Sequence, residues 1–176
     1  VLNDEEFAAL VDAYRHRVYA YAVSRCGRRL AEEVVSETFV VVWRRRDDIP
    51  AKAPLPWLLG VAHNVTRELY RDERRQAALD EALRGWADEL GRDVAYEVAE
   101  RVAALKALAA LSDEDKEVLT LVSWHGLTSA EAATVVGSSR SAFYVRLHRA
   151  RRRLEAAMNS VTAARPRPAF VPEEEQ

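Results

Sequence analysis

Residues 128–153 read TSAEAATVVGSSRSAFYVRLHRARRR: a short helix, a glycine turn and a longer basic helix in immediate succession. Thr128-Ser129-Ala130-Glu131 has capping-box spacing, so a helix opens there and runs through Ala132, Ala133 and Val136. Gly137 breaks it, Ser138 or Ser139 caps the next helix, and that helix continues past Leu154. This order is the helix-turn-helix pattern, in which the start of the second helix reaches base edges in the major groove. At 3.6 residues per turn, Arg140, Ser141, Tyr144 and His148 share a face, while Ala142, Phe143, Leu147 and Ala150 point inward. Arg146 and Arg149 flank the outer face, placed to hold the sugar-phosphate backbone. A solvated basic helix would carry the same arginines, but the capped helix and turn before it favour DNA.

The charge distribution agrees. The net charge is −2, which by itself points away from nucleic acid. Between Arg140 and Arg153, however, there are six arginines and no acid, whereas acids collect in Asp80–Asp93, Asp113–Glu117 and Glu173–Glu175. A basic segment on an otherwise acidic chain is a local electrostatic footprint, not a general affinity for polyanions.

Helical spacing extends over most of the chain. Phe7, Leu10, Val11, Tyr14, Val18 and Tyr21 form one stripe behind the capping candidates Asn3 and Asp4, and Gly27 ends it. A second helix spans about Leu30 to Arg45, with Val34, Val35, Thr38, Phe39, Val42 and Trp43 on one side. Three prolines make Asp47 to Pro56 a loop, and a third helix carries Trp57, Leu58, Val61, Val65 and Leu69. Charge dominates from Arg71 to about Asp93, with Trp86 its one large apolar residue, as in an interdomain linker. Helical spacing resumes with Val94, Val98, Val102, Leu105 and Leu108, and Ser112 caps a helix opening on Asp113-Glu114-Asp115, acids suited to a positive helix end. The expected fold is all-α: two small helical domains at 1–75 and 94–161, a flexible linker at 76–93, and a disordered tail at 162–176.

Chemistry-bearing constellations are sparse. His16, His63, His125 and His148 lack ligand spacing, so no metal and no cofactor is expected. No phosphate-cradling glycine loop, Ser-His-Asp order or carboxylate pair suggests an enzyme. Cys26 reads as a small buried residue in a reducing compartment, and no apolar run reaches the roughly 20 residues of a membrane span. With no secretory leader visible, the reading is a soluble cytoplasmic protein without membrane contact. Phe39 to Trp57 mixes aromatics with Arg44, Arg45 and Arg46 ahead of His63-Asn64, a mixture able to hold an unstacked base by stacking and an amide. At helical spacing, however, Trp43 and Trp57 are more often core than stacking platforms.

In this order the segments resemble the extracytoplasmic-function sigma factors of the bacterial sigma-70 family. Residues 17–22 (RVYAYA), 31–39 (AEEVVSETF) and 56–64 (PWLLGVAHN) resemble motifs of its region two. Residues 107–158, with RLHRAR at 146–151, resemble its region four. The resemblance covers about 135 of 176 residues. It implies a subunit of RNA polymerase that recognises and melts promoters, contacting the clamp coiled coil and flap, with an anti-sigma factor as regulator. It implies polymerase contacts at Glu33, Val34, Glu37 and Phe39. The −10 element would lie at Asp47, Asp48, Ile49, Trp57, His63 and Asn64, and the −35 element at Arg140, Ser141, Tyr144, Val145, Arg146, His148 and Arg149. Two departures stand out: Glu33 replaces the usual aspartate, and Tyr144 and Val145 stand where a basic and a small polar residue are common. The competing reading is an independent helix-turn-helix regulator, with residues 7–75 as sensor or dimer domain. An enzyme or adaptor fits less well.

Overall fold

The structure, a computed structural model, describes residues 2–69 and 104–163. Among these residues every regular element is helical. Helix α1 spans Asp4–Cys26; the Asn3 side chain accepts from the Glu6 amide and the Glu6 carboxylate accepts from the Asn3 amide, closing a capping box. Gly27 alone joins α1 to α2 (Arg28–Arg44). Its φ of 76° lies in the left-handed region that favours glycine, so the chain reverses without a loop.

One side of α2 is core: Leu30, Ala31, Val34, Val35, Thr38 and Val42 are buried. Of the residues that the resemblance sets at the polymerase contact, Val34 is wholly inside and Phe39 packs half-buried against the same core. Neither offers the exposed surface that Glu33 and Glu37 do. A 3-10 turn at Arg46–Asp48 follows, and α3 (Pro54–Leu69) begins earlier than the prolines suggested. Pro54 and Pro56 fall in its first turn, where a missing N–H removes no intrahelical bond. Helices α1, α2 and α3 pack pairwise around Val18, Tyr21, Ala22, Leu58, Leu59 and Ala62.

The second unit starts with a helical stretch at 104–109, then α4 (Asp113–Ser123), α5 (Ser129–Val135) and α6 (Arg140–Ala163). Ser112 caps α4 and Thr128 with Glu131 forms the capping box of α5. Ser139 begins α6 by accepting from the Ala142 amide at 3.2 Å. Phe143, Leu147 and Ala150 are buried as the periodicity required, but Ala142 is exposed. The inward stripe of α6 is therefore narrower than helical spacing alone suggests. Helix α6 also includes Thr162 and Ala163, placed in the tail on composition. The linker at 76–93, Trp86, most of the stripe beginning at Val94, and the tail from 164 lie outside the described residues.

Periodicity is silent on how the two units meet. They share one apolar core, with α5 packed on α3 and α4 on α1. Gly60 lies against α5: a Cβ there would sit 3.7 Å from the Val135 carbonyl oxygen, an ordinary contact. Alanine therefore fits, and a helix-interior Gly→Ala change lowers backbone entropy in the unfolded chain. Gly60→Ala is expected to raise stability by about 0.5–1 kcal/mol, measured by urea denaturation.

Candidate nucleic-acid interface

The outer face of α6 is built by what its inner face buries. With Phe143, Leu147 and Ala150 locked inside, Arg140, Ser141, Tyr144, Val145, His148 and Arg149 stand exposed. Tyr144 is 64% and Val145 46% exposed, large side chains presented to solvent at the start of a helix. Gly137, at φ 64°, makes the tight turn that aims this end of α6 outward. The arginines are not equivalent. Arg153 is tied to the mostly buried Asp115 at 2.7 Å, and Arg146 reaches Glu114 at 3.4 Å. Both pairs anchor α6 to the acidic first turn of α4.

A second concave feature opens beside α3, a cavity of about 300 Å³ lined by Arg45, Trp57, His63, Asn64 and Arg67 among others. Asn64 is exposed and one face of Trp57 is covered by the Arg45 guanidinium, 5.5 Å from the ring centroid. Arg45 also pairs with Asp48 at 3.0 Å, so the 3-10 turn is held to the cavity through that residue. Trp43 lies elsewhere: it packs edge-on against Phe7 at 4.8 Å, with Arg46 over its ring. Asp47 is exposed and Ile49 packs on the core. Arg45 belongs to the basic run that the sequence set beside this site, whereas sequence reasoning missed Arg67 as a cavity residue. Arg67 stands three positions after Asn64, one turn along the same helix, and that spacing was available to find it.

His63, which the resemblance sets beside Asn64 at the −10 site, does not share the exposure of Asn64. It is buried, and its Nδ1 lies 2.8 Å from Glu117 Oε1 on α4. An ionised carboxylate only accepts, so Nδ1 carries the proton and donates. Glu117 also accepts from the Tyr21 hydroxyl and pairs with Arg25 at 3.3 Å. Burial raises the Glu117 pKa, but the Arg25 charge and the His63 and Tyr21 hydrogen bonds outweigh it and bring the pKa down to about 2. His125 sits alongside with Nε2 3.3 Å from the Ser24 hydroxyl; burial, reinforced by Arg17, lowers its pKa to about 4. Arg17 donates to the His125 carbonyl at 2.6 Å and Arg25 to the Asp113 carbonyl at 3.0 Å. Every one of these bonds crosses from α1 or α3 to the second unit.

Among the described residues no helix is long and apolar enough to cross a membrane, and no cluster of His, Cys, Asp and Glu could hold a metal ion. Cys26 is buried, its Sγ 3.0 Å from the Ala22 carbonyl oxygen.

Residues 10–76 match the family Sigma-70 region 2, and residues 101–154 match Sigma-70, region 4. RNA polymerase sigma factor CnrH of Cupriavidus metallidurans is 30% identical over 89% of this chain and 95% of its own length. The ECF RNA polymerase sigma factor SigL of Mycobacterium tuberculosis is 30% identical over 89% and 91%. RfaY of Xanthomonas campestris, described as a probable RNA polymerase sigma factor, is 30% identical over 84% of this chain, which spans only 39% of RfaY. The solved structure of CnrH with the cytosolic domain of CnrY aligns with a TM-score of 0.64 over 90% of each chain at 30% identity. With both conserved regions in order, and CnrH and SigL matched over nearly their whole length, the chain belongs to the extracytoplasmic-function sigma factors of the sigma-70 family, RNA polymerase subunits for transcription initiation.

Proposed function

We propose that the exposed face of α6 reads the −35 element while the Trp57–Asn64 cavity takes an unstacked base of the −10 element. The observation that carries this reading is the uncovered run of Arg140, Ser141, Tyr144, Val145, His148 and Arg149 at the start of α6, immediately after the capped turn. Arg45 and Arg67 supply positive charge at the cavity rim, suited to the phosphates on either side of an extruded base. Glu33 and Glu37 lie on the exposed side of α2, whose other side is core, and form the contact with the polymerase clamp. The chain has no catalysis of its own and works in the cytoplasm with core polymerase and promoter DNA. CnrH is solved with the cytosolic domain of CnrY, and an anti-sigma factor is accordingly the regulator to seek for this chain. Transcript mapping in vitro with core polymerase tests the whole reading; the absence of any promoter-dependent transcript refutes it.

Two substitution experiments resolve its parts. Reversing charge at Glu33 and Glu37 is expected to weaken core binding by about 1–3 kcal/mol while circular dichroism stays unchanged. Unaltered co-purification with core polymerase removes these residues from the contact. Tyr144→Ala and His148→Ala are expected to change which −35 sequences are used, whereas Arg149→Ala weakens binding to all of them. The measure is a panel of single-base −35 variants in transcription assays, and a uniform loss for Tyr144→Ala would place the reading face elsewhere on α6.

A further inference from the structure

The rotation of α6 about its own axis is fixed from two sides. Phe143, Leu147 and Ala150 are sealed in the core, and Arg146 and Arg153 tie one flank to Glu114 and Asp115 of α4. At about 100° per residue, Val145 points about 200° away from Phe143, about 160° from Leu147 and about 140° from Ala150. It therefore stands opposite the buried stripe, where the helix projects furthest from the protein, and it is 46% exposed. Ser141 lies one turn before it, and His148 and Arg149 one turn after. All three are polar and exposed, so the centre of the face is apolar while its surroundings are not.

A single exposed valine elsewhere on a protein surface needs no explanation. At this position it has a consequence, because a helix laid in the major groove presses its outermost side chain against the base edges. Valine offers neither donor nor acceptor. Against the N7 and O6 of guanine, the N4 amine of cytosine or the N7 and N6 of adenine, it strips water without replacing the lost hydrogen bonds. The C5-methyl of thymine is the one methyl group that the four bases present in that groove. Meeting it takes apolar surface of both partners out of water. Branching at Cβ already restricts the valine rotamers, so little side-chain freedom is lost on contact.

We infer that Val145 reads the C5-methyl group of a thymine in the −35 element, so that one position of the element is specified by a methyl group instead of by hydrogen bonds. This rests on the assignment of α6 to the −35 element. The neighbours divide the remaining work. Ser141, Tyr144 and His148 carry hydrogen-bonding groups for the base edges on either side, and Arg149 holds the backbone. The specificity is both attractive and repulsive: thymine gains an apolar contact, and the other bases lose hydration. Valine senses the methyl and not the rest of the base. A cytosine methylated at C5 therefore offers the same contact, whereas cytosine or uracil does not.

The test is selection of duplex DNA, randomised over both promoter elements, by the full chain assembled with core RNA polymerase. Three libraries are copied enzymatically: one with ordinary nucleotides, one with dUTP replacing dTTP, and one with dUTP and 5-methyl-dCTP replacing dTTP and dCTP. At one −35 position the parent should enrich thymine in the first library roughly fourfold more than uracil in the second, the gain from burying about one methyl group. In the third library cytosine should take over at that position and strand. Val145→Ser should show the same preference there in all three libraries, with the other −35 positions and the helicity in circular dichroism unchanged. Val145→Ile, still apolar and branched, should keep the methyl dependence. Uracil enriched as strongly as thymine by the parent overturns the inference, and this arm needs no variant. A methyl dependence that survives in Val145→Ser overturns it as well, and in both cases a −35 preference remains and the assignment of α6 stands. A parent that enriches no −35 sequence in any library overturns that assignment and the inference with it.

Discussion

Lowering the pH from 7 to 4 is expected to remove about 3 kcal/mol of folding stability through His125 alone. Its folded-state pKa of about 4 lies below the ordinary value of 6.5, because burial, helped by the neighbouring Arg17 charge, disfavours the imidazolium. The unfolded chain therefore binds a proton between those two values that the folded chain refuses. The stabilisation is fully present above pH 6.5 and is lost as the pH falls through 4. Glu117 continues the trend, since its carboxylate is held down to about 2 against an ordinary 4.5. Its contribution is present above pH 4.5 and lost between there and 2, at a similar order of about 3 kcal/mol. Urea midpoints at pH 7, 5.5 and 4 measure the first step. Replacing His125 with asparagine should flatten the curve between 6.5 and 4 and leave the Glu117 step. A parent midpoint that does not move between pH 7 and 4 would show that His125 is solvated in the native state.

These two groups also mark where sequence reading ends. Helix positions were legible because each has a local cause: Asn3 with Glu6, Thr128 with Glu131, and Gly27 at a positive φ act within four residues of themselves. The inward set Phe143, Leu147 and Ala150 followed from helical period. Helical period already set Val34 on the apolar side of α2, but the family resemblance grouped it with Glu33 and Glu37, because a motif that docks on a partner also contains the residues holding its own helix in place. Glu117 was beyond reach for another reason. It belongs to an acidic cluster that a helix cap explains fully, and its partners Tyr21 and His63 are 96 and 54 residues away. No local pattern distinguishes a capping glutamate from a buried one. The α3 cavity shows an intermediate case: Trp57 and Asn64 were legible as a helical pair, but the cation over Trp57 comes from the end of α2.

Asn64→Ala is expected to lower open-complex formation on duplex promoters by about ten- to a hundredfold, and to do much less harm on a pre-melted template. The residue is exposed at a cavity of about 300 Å³ and lies seven positions after Trp57, nearly two helical turns along α3. Its amide offers both a donor and an acceptor, the pair needed to meet the edge of an unpaired base, while the indole provides a stacking surface. Extruding a base costs a few kcal/mol, which favourable contacts in the cavity must offset. On duplex DNA that offset is missing in the variant; on pre-melted DNA the cost has already been met, so the loss shrinks to the amide's own hydrogen bonds. Because Asn64 is exposed and takes no part in the Glu117 cluster, folding, core assembly and −35 binding should stay near the parent values. Permanganate footprinting beside a core-binding assay separates these outcomes. Normal melting by the variant, or an equal loss on duplex and pre-melted DNA, would mean that the amide does not read a base.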